Sequence, residues 1–142
     1  MKLQKNTLFA LYSVLESASR PQRQLSAGEI ARKHGISPHH LAKVLHTLAR
    51  AGVVESVRGV GGGYRFAGNA RRLTLMDVID LFENIGAPTR GAGQPARRPR
   101  AGAGIERAVG TVLSEIDAMA EATLRSISIA TILNLIERQR RS

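Results

Sequence analysis

The chain has 142 residues, a formal net charge of +10 and no cysteine, and it is 43% hydrophobic but only 4% aromatic. This length allows one domain with at most a small appended segment, and the composition favours helices packed through aliphatic side chains. The absence of cysteine excludes a disulfide, a thiolate nucleophile and any metal or iron–sulfur cluster held by cysteine.

The positive charge lies in the first two thirds of the sequence. Residues 1–85 hold 12 Lys and Arg against six acidic residues, residues 86–104 hold four arginines and no acid, and residues 105–142 are balanced. This asymmetry predicts a polyanionic partner for the first part and a different role for the last. A generally arginine-rich proteome would give the same excess without such a partner.

The first predicted element is an amphipathic helix. Apolar side chains recur at helical spacing from Leu8 to Ala18, and polar residues, Ser13 and Ser17 among them, lie between. Because the core of a signal sequence would be continuously apolar, this pattern indicates the first helix of a cytoplasmic protein. We find no stretch long and apolar enough to cross a membrane.

Two short helices follow, and their capping signals are strong. Ser26 can cap the first, with Glu29 at the capping-box position. The second begins with Ser37 as its N-cap and Pro38 at its first position, and Gly52 ends it. Two helices separated by so few residues are typical of a helix-turn-helix, in which the second helix, residues 37–51, is the recognition helix.

A hairpin is predicted next, over residues 53–67. The β-rich run VVESV is followed by four glycines in the five residues 59–63 and then by YRFA. A helix-turn-helix followed directly by a hairpin is a winged helix. The glycines do not fit a nucleotide site, because no Lys-Ser or Lys-Thr follows them, as a P-loop requires, and because a strand rather than a helix comes next.

The rest of the chain is predicted as helix, loop and helix. Residues 73–86 form a helix that Thr74 caps, with Leu81 on its inner face. Residues 86–104 are rich in Gly, Pro and Arg and contain no large apolar side chain, so we expect a flexible loop that separates the DNA-binding domain, residues 1–85, from a dimerisation segment, residues 105–142.

The dimerisation segment carries a long apolar stripe at helical spacing, followed by a short closing helix that Ser128 caps. The stripe could be intramolecular core or could lie on a membrane surface, but its polar face is acidic rather than basic. A small domain has little surface to cover it, so dimerisation is favoured. The predicted interface is Ile105, Val109, Val112, Ile116, Met119, Leu124 and Ile127.

No pattern predicts catalysis or metal binding. The chain has four histidines, but His39 and His46 lie seven residues apart without a third ligand at suitable spacing, so we predict no metal site. No serine, histidine and acid constellation stands out. The sequence therefore predicts that the protein is not an enzyme.

Residues 1–85 resemble the Rrf-two family of bacterial transcriptional regulators, the group that contains IscR, NsrR and CymR. The resemblance rests on MKLQKNTLFAL, on EIARKHGISPHHLAKVLHTLARAGVVESVRGVGGGYRFA and on LTLMDVIDLFE. The combination of G-I-S-P-x-x-L-x-K-V-L with V-x-S-V-R-G-x-G-G-G-Y is specific. The remaining residues resemble the family only in their layout of a loop, a long dimerisation helix and a closing helix.

The resemblance implies a homodimer that binds palindromic promoter DNA. It places Ser37, His39, His40 and Lys43 in the recognition helix and Arg58 at the arginine of the wing that enters the minor groove. Ala42 stands where some members carry an acid that discriminates sequence, so the operator is not implied. The full predicted DNA-binding set is Lys2, Lys5, Ser26, Ser37, Pro38, His39, His40, Lys43, Arg50, Arg58, Gly59, Gly61 and Tyr64.

One departure from the family concerns its cofactor. Many members hold an iron–sulfur cluster through three cysteines in the loop before the dimerisation helix, whereas residues 86–104 contain no Cys, His, Asp or Glu. We therefore predict no cofactor, and a repressor that acts on double-stranded DNA as a homodimer, away from the membrane. The sequence identifies no effector, and a constitutive or protein-controlled regulator is equally compatible with it. The alternatives are a winged-helix module that docks an acidic protein and a ligand-binding domain or enzyme that uses the glycine loop.

Overall fold

The computed structural model describes residues 2–59, 62–83 and 102–142. Within them the order of elements confirms the predicted class, a mainly helical fold with a small β-hairpin. The elements are α1 (Lys5–Ser19), α2 (Ala27–His34), α3 (Pro38–Arg50), β1 (Val54–Val57), β2 (Gly63–Phe66), α4 (Leu75–Ile79), α5 (Ala103–Ser126) and α6 (Ile129–Arg141).

Helix α1 is the centre of the fold, since it contacts α2, α3, α4, β2 and α6. It is buried more completely than its apolar stripe predicts, because Ser13 and Ser17 are also buried. Their hydroxyls donate to the carbonyls of Phe9 and Ser13, both at 2.8 Å. These bonds satisfy the polar groups, and the small side chains leave room for neighbouring elements on this face.

Helices α2 and α3 form the helix-turn-helix. The predicted inward stripe of α3, from Leu41 through Val44 and Leu45 to Leu48, is buried as expected. Ser26 caps α2 by accepting a hydrogen bond from the Glu29 amide at 3.0 Å. The reciprocal half of that capping box is not formed, and the Glu29 carboxylate instead lies 3.4 Å from the Arg23 guanidinium.

The hairpin pairs β1 with β2 in antiparallel register, with Glu55 opposite Arg65 and Ser56 opposite Tyr64. It is attached to the helical bundle through a bridge between Leu25 and Tyr64, whose two N–H···O distances are both 2.8 Å. The wing is therefore held to the segment just before α2 by main-chain hydrogen bonds as well as by packing.

Helix α4 is shorter than predicted. Thr74 and Asp77 form the full capping box at its start, but the helix ends at Ile79. The backbone then forms a tighter turn, in which the Leu81 amide donates to the Val78 carbonyl three residues back. Consequently the assignment of Leu81 to the inner face is wrong, since Leu81 is 37% exposed while Met76, Val78 and Ile79 fill the core. The predicted end of this helix lies outside the described residues.

The C-terminal helices join the bundle at one junction. The amide of Leu75 donates to the Ile127 carbonyl at 2.9 Å, and the amide of Ile129 donates to the Leu73 carbonyl at 2.8 Å. Helix α5 begins at Ala103, two residues earlier than predicted, and most of the predicted loop lies outside the described residues. None of the described helices is both long enough and apolar enough to cross a membrane.

Candidate nucleic-acid interface

The first turn of α3 is the most exposed part of the helix-turn-helix. Its apolar stripe anchors the helix, so that Ser37, His39, His40 and Lys43 are all exposed at its N-terminal end. Ser37 has the extended backbone of an N-cap, but its hydroxyl makes no capping hydrogen bond. The amide groups of the first helical turn and the helix dipole favour an anion at this position.

The predicted phosphate-binding cations are also exposed. Lys2 and Lys5 lie at the start of the chain and Arg50 lies at the end of α3. None of the ion pairs formed within the described residues involves these three side chains, Lys43 or Arg58. The positive charges of these side chains are therefore not engaged in ion pairs with the acidic side chains that the structure describes.

The wing presents one of its two arginines freely. Arg58 follows β1 and is exposed, and Gly59 behind it has φ of 113°, a left-handed conformation that favours glycine. Arg65 is different, because it forms an ion pair with Glu55 across the hairpin. Gly61, a member of the predicted DNA-binding set, lies outside the described residues.

Gly63 shows why the wing needs a bare backbone at that position. A Cβ atom there would lie 2.5 Å from the Leu25 carbonyl oxygen, well inside van der Waals contact. The glycine therefore permits the bridge that attaches the wing to the bundle. The structure therefore gives an internal role to Gly63, which is not among the residues predicted to bind DNA.

Three other members of the predicted set have structural roles. Ser26 is half-buried and caps α2 with its hydroxyl. Tyr64 is half-buried, pairs with Leu25 through its main chain and packs its side chain against the core. Pro38 occupies the first turn of α3, where its fixed φ suits the helix start. The DNA-binding roles assigned to these residues stay predictions.

The predicted dimer face divides into two parts. Ile105 is 73% exposed, Ile116 is 50% exposed and Met119 is 63% exposed, and no residue of α5 is buried. Leu124 instead packs against the core, and Ile127 is half-buried at the junction with α6. The exposed part of the stripe, here called the α5 apolar face, consists of Ile105, Val109, Val112, Leu113, Ile116 and Met119.

A cluster around Glu16 was missed by the sequence reasoning. Its Oε1 atom lies 2.7 Å from Lys33 Nζ and 3.0 Å from His34 Nε2, and the His34 ring stacks on Tyr12 at a centroid distance of 5.1 Å. Burial raises the pKa of Glu16, but hydrogen bonds from Lys33 and His34 and their charges outweigh it and lower the pKa below its ordinary value. No local pattern could have revealed this cluster, because its parts lie on different helices.

The residues present do not fit an iron–sulfur cluster. The chain contains no cysteine, and within residues 2–59, 62–83 and 102–142 no group of three or more His, Asp or Glu side chains could hold a metal ion. His39 and His40 lie side by side on α3 with ring centroids 6.2 Å apart, without a third ligand among the described residues.

Comparison with known proteins agrees with this architecture. The model of the Rrf2 (Rrf-two) family, described as iron-dependent transcriptional regulator, matches residues 3–135. A relative described as the HTH-type transcriptional regulator BadM, from Rhodopseudomonas palustris, is 51% identical over 141 residues, which cover 99% of this chain and 86% of the relative.

Two solved structures share the fold. The structure of T. potens IscR has a TM-score of 0.77 at 23% identity, and the match covers 98% of this chain and 90% of IscR. The structure of CymR, the global cysteine regulator of B. subtilis, has a TM-score of 0.74 at 22% identity and covers 95% of this chain and 98% of CymR.

The winged-helix fold, taken with the relative of 51% identity, defines a DNA-binding transcriptional regulator. The match over residues 3–135 shows that the chain belongs to the Rrf2 family, whose members are transcriptional regulators and not enzymes. It is a member without the cysteines that would hold a cluster.

Proposed function

We propose that this protein is a cytoplasmic repressor that binds palindromic promoter DNA as a homodimer, without an iron–sulfur cluster. The observation that carries the proposal is the exposed N-terminal end of α3, which presents Lys43, two histidines and a serine hydroxyl without a capping bond, on a helix that contacts strand β1 of the wing. A dimer bound across a promoter would repress by excluding the polymerase.

Helix α3 would read the major groove through its N-terminal end. His39, His40 and Lys43 would reach base edges or phosphates, while the helix dipole attracts the DNA backbone. Ser37 would donate its hydroxyl to a phosphate, which its lack of a capping bond permits. Lys2, Lys5 and Arg50 would neutralise further phosphates, so that affinity falls steeply with salt.

The wing would contact the minor groove through Arg58. Its guanidinium makes no ion pair with a described residue, whereas Arg65 is engaged by Glu55. A narrow minor groove concentrates negative potential and favours an inserted arginine. Gly59 would bring the main chain close to the sugar–phosphate backbone, and the proposed set also includes Ser26, Pro38, Gly61 and Tyr64.

The α5 apolar face supports the homodimer. Fully burying an exposed Val, Leu, Ile or Met side chain contributes about 1.5–3 kcal/mol, so six such residues on each of two chains are a large driving force. A two-fold dimer formed through this face would present two α3 helices related by symmetry, as a palindromic site with half-sites about one turn of DNA apart requires.

The experiment is selection of bound fragments from the source genome, followed by fluorescence anisotropy on the recovered duplex. We expect Arg58→Ala to weaken binding about tenfold, within the range for a lost DNA-contacting arginine, while sedimentation shows an intact dimer. Arg138→Ala on α6 is the matched control and should leave the affinity unchanged.

Lys43→Ala distinguishes reading of bases from contact with phosphates. Loss of a phosphate contact should weaken all duplexes equally and reduce the salt slope by about one, whereas loss of a base contact should change the preferred sequence. Equal affinity of the unmodified protein for the selected and a scrambled duplex would contradict the proposal and favour a protein-interaction module. Repression is tested with a reporter, which should be expressed more strongly when the gene for this regulator is deleted.

A further inference from the structure

A cavity of about 340 Å³ lies between α1, the end of α2 and α6, and none of the proposed DNA-binding residues lines it. This volume is within the range of sites that bind small molecules. The lining of such sites is mostly apolar, with a few polar groups. Here the apolar wall comes from Tyr12, Leu15, Leu133 and Ile136, and the charged groups come from the same two helices and the end of α2.

The apolar wall is firmly held. Leu15 and Leu133 pack against the hydrophobic core, and Ile136 is half-buried one turn further along α6. The Tyr12 ring is fixed by its stacking on His34, with an angle of 18° between the rings. The wall is thus a built surface that can bind an apolar body without reorganisation.

The charges around the cavity are not balanced. The Glu16 carboxylate is already engaged by Lys33 and His34 at 2.7 and 3.0 Å. Two arginines that line the cavity, Arg20 and Arg140, form no ion pair within the described residues, and one further acid, Glu137, lines it. Two unpaired guanidinium groups against one unpaired carboxylate favour an anionic ligand.

We propose that this cavity is an effector site for a small organic anion with an apolar body and a single carboxylate. The body lies against Tyr12, Leu15, Leu133 and Ile136, and the carboxylate pairs with Arg20 and Arg140. Neutral and cationic molecules of the same shape bind more weakly, because they leave these arginines unpaired.

The position of the cavity links it to regulation, and this part rests on the proposed function. Helix α1 packs directly against α3, the proposed recognition helix, while α6 continues from α5, which carries the α5 apolar face. A ligand that contacts α1 and α6 together therefore favours one arrangement of the DNA-binding half relative to the dimerisation half. Such a difference in affinity between two arrangements is the requirement for allosteric coupling.

Binding is tested without DNA by calorimetry on the full-length protein, with octanoate, octan-1-ol and octylammonium as probes of equal chain length. We expect octanoate to bind more tightly than the other two. The double variant Arg20→Gln/Arg140→Gln should weaken octanoate binding about tenfold or more, as expected for the loss of charge-assisted pairs. Arg138→Gln, which removes one positive charge from α6 outside the cavity, should have no effect.

Thermal unfolding checks that the variants are folded, and Ile136→Asp provides an independent test because its acid would repel the carboxylate. Tighter binding of octylammonium, equal binding of octan-1-ol, or unchanged octanoate binding by the double variant would overturn the site. Octanoate should also change affinity for the selected duplex about fivefold or more in the unmodified protein and not in the double variant.

The effector site and the proposed DNA-binding function can be contradicted by different results. Octanoate binding without any change in DNA affinity would overturn the regulatory role and leave the site. Failure to find a preferred duplex would overturn the proposed function, but it would not affect the calorimetric evidence for the site.

Discussion

The first 83 residues and α5 differ in how far their apolar side chains are buried. In the first region Leu41, Leu48 and Met76 are completely buried, and α1 provides packing surface on several sides. In α5 no residue is buried, although the helix has 24 residues and a continuous apolar stripe. The first region buries its apolar side chains in a core to which Ile129, Leu124 and Leu133 of the C-terminal helices also contribute, whereas the α5 apolar face stays exposed in the single chain.

This difference predicts how each region responds to mutation. Substitutions in the core should lower the stability of each chain regardless of protein concentration. Substitutions on the α5 apolar face should change association, so that their effect depends on concentration. The following experiments test this contrast, from the largest expected effect to the smallest.

Leu48→Ala should have the largest effect. Leu48 is completely buried on α3, and a buried Leu→Ala change costs about 2–5 kcal/mol of unfolding free energy. Chemical denaturation at two protein concentrations measures it, and the loss should be the same at both. Leu113→Ala on α5 is the matched control, because Leu113 is 56% exposed in the single chain. If Leu113→Ala lowered the unfolding free energy by the same amount as Leu48→Ala, and by the same amount at both concentrations, the difference between the core and the α5 apolar face would be contradicted.

Ile116→Asp should come next, by weakening the dimer about 100-fold. The change places a carboxylate in the α5 apolar face of each chain, and a buried unpaired charge is strongly unfavourable. Sedimentation velocity over a dilution series measures the dissociation constant. Ser114→Asp introduces the same charge on the opposite side of α5 and should leave the dimer intact. If both variants remain dimeric at all concentrations, another surface forms the interface.

Gly63→Ala should destabilise the first region by about 1–3 kcal/mol, the usual cost of overpacking. Its Cβ would lie 2.5 Å from the Leu25 carbonyl oxygen, so the bridge between the wing and the bundle must open. Gly104→Ala on α5 is the control, since a Cβ there meets nothing within 4 Å. Thermal unfolding should show a lower midpoint for Gly63→Ala alone. An unchanged midpoint would show that the bridge does not hold the wing.

Glu16→Gln should have the smallest effect, about 0.5–1 kcal/mol at neutral pH. The pKa of Glu16 is lowered in the folded protein from its ordinary value of 4.5, although burial opposes this, because Lys33 and His34 donate hydrogen bonds to it. A lowered folded pKa means that the contribution is complete above pH 4.5 and is lost as pH falls through the folded pKa.

Denaturation of both proteins between pH 3 and 7 tests this dependence, over a range that spans the ordinary titration of a glutamate. The difference in stability should disappear toward the acidic end. Glu137→Gln, which removes a carboxylate without an ion pair in the described residues, should change stability less. A constant difference across the range would contradict the role of the ion pairs.

Several features of the fold could be predicted because their signals are local. The caps at Ser26, Thr74 and Ser128 and the stripe of α3 each depend on residues within about two turns of one another. The antiparallel wing follows from two β-rich runs beside glycines. The end of α4 at Ile79 could not be predicted, since the sequence pattern continues and the helix stops where Met76, Val78 and Ile79 fill the core.

The part of the candidate site that lies on one helix and one hairpin could be predicted, because its signals are local in the sequence. The exposed turn of α3 follows from its caps and stripe, and the structure leaves its polar side chains free. The ion pair between Arg65 and Glu55 could be identified only from the register of the hairpin, because that pairing brings the two residues opposite each other. The roles of Ser26 and Tyr64 in packing likewise appear only in three dimensions.

The sequence by itself determined the order of the elements, the helix-turn-helix and wing, the exclusion of a cysteine-held cluster and the apolar stripe of α5, because periodicity, capping and composition act over short distances along the chain. Only the tertiary structure decided that Glu16 meets Lys33 and His34, that Gly63 lies against Leu25, and that α6 closes a cavity over α1. Such contacts join residues far apart in the chain, and the packing of the whole core, rather than any local preference, sets their positions.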